Sequence, residues 1–220
     1  MATATGTSHE LGWQAADFDL EGVDGRKYKL ADIRGEKGTL VMFICNQCPY
    51  VKGVIGGLVE DCKALAADGV KTVAIMPNDT DTYQVDNFDR MKEFAQEHRL
   101  GFPYVIDRTQ GVARSYGAVC TPDIFGFDAK LALRYRGRVQ EMRGGTPVAG
   151  ARRELLEAMR MIARTGKGPE DQVPPIGCSI KWRRSCISRR WPRRLAPAGA
   201  AARRRPSRPA CPARRADRAG

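Results

Sequence analysis

Phe43-Ile44-Cys45-Asn46-Gln47-Cys48-Pro49-Tyr50 joins an apolar run to two cysteines and then to a helical pattern. The run from Thr39 to Ile44 is short and apolar, which reads as a buried strand. From Pro49 to Asp68 the apolar residues Val51, Val54, Ile55, Leu58, Cys62 and Leu65 recur at helical spacing. Residues three apart on a helical turn are neighbours, so the two sulfurs can close a disulfide with little backbone movement. The spacing places Cys45 where the first helical N–H groups lack partners, and their partial positive charge favours a thiolate. An ordinary thiol ionises near about 8.5, and such junctions lower that by one to several units. Pro49 suits the first turn, where a missing N–H costs little.

The chain has 220 residues, enough for one domain with a full core, and a formal charge of +12. The charge is not spread evenly. Residues 181–220 hold 14 Lys/Arg and one acid, so residues 1–180 come to −1. Nucleic-acid binding is therefore not expected of the folded part. No stretch approaches the roughly 18 apolar residues of a membrane span. Met1 to Glu10 shows neither a basic n-region nor an apolar h-region, so a cytoplasmic location is expected. In that reducing setting a C-x-x-C points to redox or metal chemistry rather than to a structural staple.

Residues 1–12 are small and polar and are expected to be disordered. Phe18 to Leu20 and Lys27 to Leu30 flank Asp24-Gly25, a hairpin signal. Gly69 follows the first helix as a good C′ residue, and Val70 to Met76 is a second apolar strand. A helix is expected over 83–99, a strand from Tyr104 to Ile106, a short helix over 109–116, and a strand from Asp123 to Phe127. Leu131, Leu133 and Tyr135 alternate with Ala132, Arg134 and Arg136, as in a strand with one solvent face. A last helix runs from about Val148 to Arg164. Early alternation of strand and helix, then two consecutive strands, predicts an α/β fold: a central mixed sheet flanked by helices, with an N-terminal β-hairpin.

These residues resemble the thioredoxin-like superfamily in its redoxin branch, the alkyl hydroperoxide reductase/thiol-specific antioxidant group. The carrying motifs are C-N-x-C-P-[YF]-V-K, here Cys45 to Lys52, and C-T-P-D-x-F, here Cys120 to Phe125. A closing segment, Ile176-Gly177-Cys178-Ser179-Ile180-Lys181-Trp182, also fits, so the resemblance covers about residues 11 to 182. It implies a redoxin domain over 13–182 with Cys45 and Cys48 as catalytic residues. It implies a cis Thr121-Pro122 bond beside the dithiol, with the backbone before Pro122 an unpaired edge that binds the substrate strand.

The chain departs from the pattern in three places. Gln47 stands where the type usually carries His, which predicts a less acidic Cys45. Thr39 to Ile44 holds no buried carboxylate, so no base for Cys48 is apparent. Residues 183–220, rich in Arg, Ala and Pro and free of Lys, match nothing in the type. They are the composition of GC-rich codons read out of frame, and disorder is expected there.

A structural zinc half-site is the competing reading of Cys45 and Cys48. It needs two further ligands, and the other cysteines form no second C-x-x-C. Cys62 reads as core. Cys120 reads either as a third redox thiol or as a small buried pocket residue, and no role is apparent for Cys178. The leading function is thiol–disulfide exchange through Cys45 and Cys48, acting on protein or small-molecule disulfides. It needs no metal, flavin or nucleotide cofactor and is recharged by a thioredoxin- or glutathione-linked thiol. A peroxiredoxin-like peroxidase is the second reading, although Met42 stands where a peroxidase places Thr, three residues before its cysteine. A non-catalytic binding module is the third.

Overall fold

A computed structural model of the chain describes residues 3–5 and 10–183. In chain order its elements begin with β1 (Thr3–Thr5), β2 (Asp19–Gly22), β3 (Lys27–Lys29), α1 (Leu30–Ile33), β4 (Gly38–Phe43) and α2 (Pro49–Ala67). Then come β5 (Val70–Met76), a 3-10 turn at Gln84–Asp86, α3 (Phe88–Glu97), β6 (Tyr104–Ile106) and α4 (Gly111–Ser115). The C-terminal part holds β7 (Cys120–Thr121), β8 (Asp123–Asp128), β9 (Leu133–Tyr135), β10 (Met142–Arg143), β11 (Thr146–Pro147), α5 (Glu154–Thr165) and β12 (Ile176–Ser179).

Seven strands form the central sheet in the order β3-β2-β6-β5-β4-β8-β9. β4 and β5 run parallel, as do β5 and β6, while β8 returns antiparallel beside β4. This is the mixed sheet expected from the alternation of elements. Because side chains alternate across a strand, β4 and the residue after it divide their apolar groups between two cores. Leu40, Met42 and Ile44 pack with α2, α3 and α5, while Val41 and Phe43 pack with α1, α4, Tyr116, Phe125 and Phe127. With every residue of β4 buried, β4 is a continuous apolar run rather than an alternating one.

Several local expectations change. The helix over 83–99 is split, because Asn87 leaves helical geometry and caps α3 by accepting the Arg90 N–H at 2.9 Å. α5 begins at Glu154 rather than near Val148, because the Val148 N–H donates to Glu141 O at 3.1 Å beside the β10–β11 hairpin and Gly150 takes a positive φ of 72°. Arg136 lies off the solvent, 8% exposed, because Asp123 on the neighbouring strand takes its guanidinium at 3.1 Å. Thr3–Thr5, expected to be disordered, pair with Ile176–Cys178. The remainder of residues 1–9 and the tail from 184 onward lie outside the described residues. Among the described residues no helix is long and apolar enough to cross a membrane.

Candidate active site

β4 ends at Phe43, and Ile44 continues the sheet by donating its N–H to Ile75 O at 3.0 Å. The chain then turns through Cys45, Asn46 and Gln47 into α2. The N-cap of α2 is Cys48, with Pro49 at its first position. The helix mouth thus belongs to Cys48, three residues beyond the position expected for Cys45, because the intervening residues form the turn.

Both thiols are buried, Cys45 4% and Cys48 2% exposed, and neither is in a disulfide. The Thr121-Pro122 peptide is cis and faces them. The Thr121 hydroxyl lies 3.2 Å from Cys45 Sγ, and the Thr121 carbonyl oxygen lies 2.9 Å from Cys48 Sγ. One residue therefore touches both sulfurs.

The two sulfurs also act on each other, and their mutual interaction is the largest influence on their ionisation. It brings Cys48 down to about 5 against the upward push of burial. The Cys178 thiol and N–H and the Val51 N–H add to the fall. The same interaction, followed by burial and the charge of Asp86, raises Cys45 well above an ordinary thiol. The pair thus gives up its first proton easily and holds its second tightly. Several donors converge on Cys48, whereas only the Thr121 carbonyl opposes a charge there. We therefore place the resting negative charge on Cys48 and the retained proton on Cys45. The sequence alone favours the thiolate on Cys45; the donors around Cys48 favour the charge there.

A buried carboxylate does stand near the pair, though not on the entering strand. Asp86 is 3% exposed, accepts the Asn46 N–H at 3.0 Å and takes the Asn78 amide at 2.8 Å. Burial raises its pKa, and those hydrogen bonds oppose the rise. Asn46 is further held by Tyr104, whose hydroxyl donates to Asn46 Oδ1 at 3.0 Å. The turn is thus held from two sides, by Asp86 and by Tyr104. Sequence reasoning missed Asp86 because forty residues separate it from Asn46.

Gln47 is exposed and accepts a hydrogen bond from Lys52 Nζ at 2.9 Å, so Lys52 neutralises no sulfur directly. Cys120 is fully buried and directs its thiol to Pro122 O at 3.5 Å, and burial pushes its ionisation up. Cys62 is core, its thiol pushed up to about 12 by burial. The edge before Pro122 is not open. β12 pairs antiparallel with β7, setting Cys178 opposite Thr121 and Ser179 opposite Cys120. The chain's own C-terminal strand fills the place that the resemblance reserved for a substrate. On the helix side, the β10–β11 hairpin lies against α2 at Gly53, where a Cβ would meet Gly145 O at 2.1 Å.

The family model described as AhpC/TSA matches residues 11–136. The chain belongs to the AhpC/TSA family. A conserved protein from Geobacillus kaustophilus, described as uncharacterized, is 41% identical and superposes with a TM-score of 0.79, over 84% of this chain and 98% of that one. The thiol-disulfide oxidoreductase ResA of Geobacillus thermodenitrificans (strain NG80-2) is 27% identical over 154 residues, 70% of this chain and 80% of ResA. The thioredoxin domain of a thiol-disulfide oxidoreductase from Bacteroides vulgatus is 21% identical with a TM-score of 0.51, over 62% of this chain and 91% of that domain. The fold of this AhpC/TSA-family chain is thioredoxin-like.

Proposed function

We propose that the chain performs thiol–disulfide exchange, with Cys45 and Cys48 cycling between dithiol and disulfide. The observation that carries this reading is that Thr121 holds both sulfurs, its hydroxyl 3.2 Å from Cys45 Sγ and its carbonyl oxygen 2.9 Å from Cys48 Sγ. The kinship with ResA supports the same reaction class.

The base for Cys45 is the second sulfur, and Cys48 in turn loses its proton to the departing target sulfur. Cys45 passes its proton to the Cys48 thiolate as it attacks one sulfur of a target disulfide. The Cys45–target bond forms, the target S–S bond breaks, and the departing sulfur takes the proton from Cys48. Cys48 then attacks Cys45 Sγ, the mixed disulfide breaks, and the second target sulfur leaves as a thiolate. The target gains two electrons and the chain keeps a Cys45–Cys48 disulfide. Recharging takes a dithiol of the thioredoxin class or two glutathione-class thiols: the first thiolate opens Cys45–Cys48 to a mixed disulfide, and the second displaces Cys45 and leaves the donor as a disulfide. In the reducing cytoplasm expected from the sequence, the chain acts as a reductant.

With β12 on the Thr121 edge, a protein target meets the site from the Asn46–Gln47 side. There a groove of about 460 Å³ is lined by Gln47, Lys52, Val85, Arg90, Phe94 and His98. Reduction of insulin disulfides by wild type and its loss in Cys45→Ser test the reading; turnover unaffected by Cys45→Ser ends it.

Peroxide reduction is the second reading, favoured by the hydroxyl of Thr121 beside Cys45 at 3.2 Å. There the Cys45 thiolate takes the distal peroxide oxygen as a sulfenic acid and releases the alcohol. Hydroperoxide consumption that survives Cys48→Ser in the presence of an added thiol selects this alternative.

A further inference from the structure

A third sulfur lies in the same buried cluster as the pair. Cys178 is near enough to Cys48 for each to shift the other's ionisation. Cys178 comes there by strand pairing, opposite Thr121 in the register of β12 on β7. Gly177 makes the approach possible, since a Cβ at that position would lie 2.1 Å from Thr121 O.

The strand is anchored on its C-terminal side. Ile180 donates its N–H to Val119 O at 3.0 Å, and the Lys181 N–H is taken by Asn78 Oδ1 at 2.9 Å. The Lys181 carbonyl accepts from the Asp79 N–H at 2.8 Å and from Gln110 Nε2 at 2.9 Å. Trp182 lies under the Arg114 guanidinium at 4.4 Å. β12 is therefore anchored as part of the site, with Cys178 opposite the residue that touches both sulfurs.

We propose that Cys178 is a third redox thiol, which attacks Cys48 in the Cys45–Cys48 disulfide and moves the bond to Cys48–Cys178. The proposal rests on the Cys45–Cys48 exchange argued above. The Cys178–Cys48 bond forms as the Cys48–Cys45 bond breaks, and the proton leaving Cys178 goes to the Cys45 thiolate. No electrons enter or leave, so no further reactant is needed. The bond passes from Cys45 to Cys178, and Cys45 returns as a thiol.

Electrostatics favour this order of events. Burial, and after it the interaction with Cys48 and its charge, raise Cys178 to about 12 in the reduced protein. Oxidising Cys48 removes the two contributions that come from its charge, leaving burial opposed by Lys181. The thiol is thus quiet while the pair is reduced and becomes more acidic when there is a bond to attack. Cys120 is not the third member, because its sulfur faces Pro122 O rather than Cys48.

The test is disulfide mapping of full-length protein oxidised with glutathione disulfide, acid-quenched, alkylated and digested. In Cys45→Ser the expected product is a Cys48–Cys178 cross-link with both thiols lost to alkylation. In the Cys45→Ser/Cys178→Ser double variant, Cys48 should carry glutathione instead. In oxidised wild type, Cys45 should be alkylated in at least a tenth of molecules, and Cys178→Ser should abolish that fraction. Gly177→Val keeps every sulfur but displaces the strand, and should lower the Cys48–Cys178 yield severalfold while thermal melting shows the chain still folded. A Cys45→Ser protein that accumulates Cys48–glutathione with Cys178 fully alkylatable overturns the proposal. If wild type forms Cys45–Cys48 but Cys45→Ser never cross-links, the relay alone fails. If wild type never pairs Cys45 with Cys48, the exchange reading fails, and the relay, which starts from that bond, fails with it.

Discussion

The Asp86 carboxylate holds the backbone N–H of Asn46 at 3.0 Å and so fixes the turn that separates the two cysteines. Its other oxygen takes the Asn78 amide at 2.8 Å, tying the turn to the segment that follows β5. Asp86→Ala leaves two buried donors without an acceptor, which costs about 1–3 kcal/mol for each such group. The expected result is a lower urea midpoint with an unchanged slope, together with slower disulfide reduction. Asp86→Asn keeps an acceptor oxygen and removes the charge that raises Cys45. It should lose less stability and shift the thiol titration of Cys45 downward. Equal losses in the two variants would show that the carboxylate acts only through its charge.

The pH dependence of the reduced pair has a definite sign. Cys48 is lowered to about 5, first by its interaction with Cys45. Thiolate is therefore present above that pH, and alkylation by iodoacetamide should fall as pH drops through about 5. The same lowering stabilises the folded reduced chain, because the unfolded thiol ionises only near about 8.5. That contribution is complete above the unfolded value and is lost as pH falls towards the folded one. Denaturation of wild type and Cys48→Ser across this window checks it: the difference between them should widen from pH 5 to pH 8.

The strand–dithiol–helix unit was legible because it is local. An apolar run, a helical period and two cysteines lie within thirty residues, and the strand and the helix formed where the periodicity put them. What the sequence hid depends on pairings between distant segments. Asp86 reaches Asn46 across forty residues, and Cys178 reaches Cys48 only through the register of a four-residue strand on β7. Ile-Gly-Cys-Ser carries no alternation from which such a strand could be read. The occupied edge at Thr121 has the same origin. Arg136 was misread because alternation along β9 implies a solvent face, whereas a buried carboxylate on β8 had claimed that side.

Arg136 and Asp123 form an ion pair that is 6% and 0% exposed, and the pair holds the segment leading into Thr121. Arg136 also donates to Gly117 O at 3.0 Å, and Asp123 takes the Val119 N–H at 3.0 Å. Removing one partner strands a buried charge, at a cost of about 3–5 kcal/mol. Arg136→Met should therefore destabilise the chain by that order, and adding Asp123→Asn should recover part of the loss. A double-mutant cycle by chemical denaturation measures the coupling, and additive losses would contradict it.

Gln47 is the one exposed residue between the cysteines, and its amide carries no charge. Gln47→His sets an imidazole beside Lys52 and the pair, and its protonated form favours thiolate. The thiol titration followed at 240 nm should fall by up to about one pH unit in the variant. A rise would mean that desolvation by the ring outweighs its charge.

Thr121 divides its two oxygens between the two sulfurs, and its hydroxyl is the part that substitution can remove cleanly. The hydroxyl lies 3.2 Å from Cys45 Sγ and lowers the ionisation of that thiol. The carbonyl contact to Cys48 and the pairing with Cys178 are backbone features that Thr121→Val retains. Valine has nearly the same shape, so the packing of the buried pocket should survive. A hydrogen bond to a charged group contributes about 1.5–3 kcal/mol, so kcat/KM for disulfide reduction should fall by roughly tenfold or more. Thr121→Ser restores the hydroxyl without the methyl and should recover most of the rate. If Thr121→Val reduces disulfides as fast as wild type while its Cys45 titration is unmoved, the hydroxyl does not act on the attacking sulfur and the role of Thr121 lies in its backbone alone.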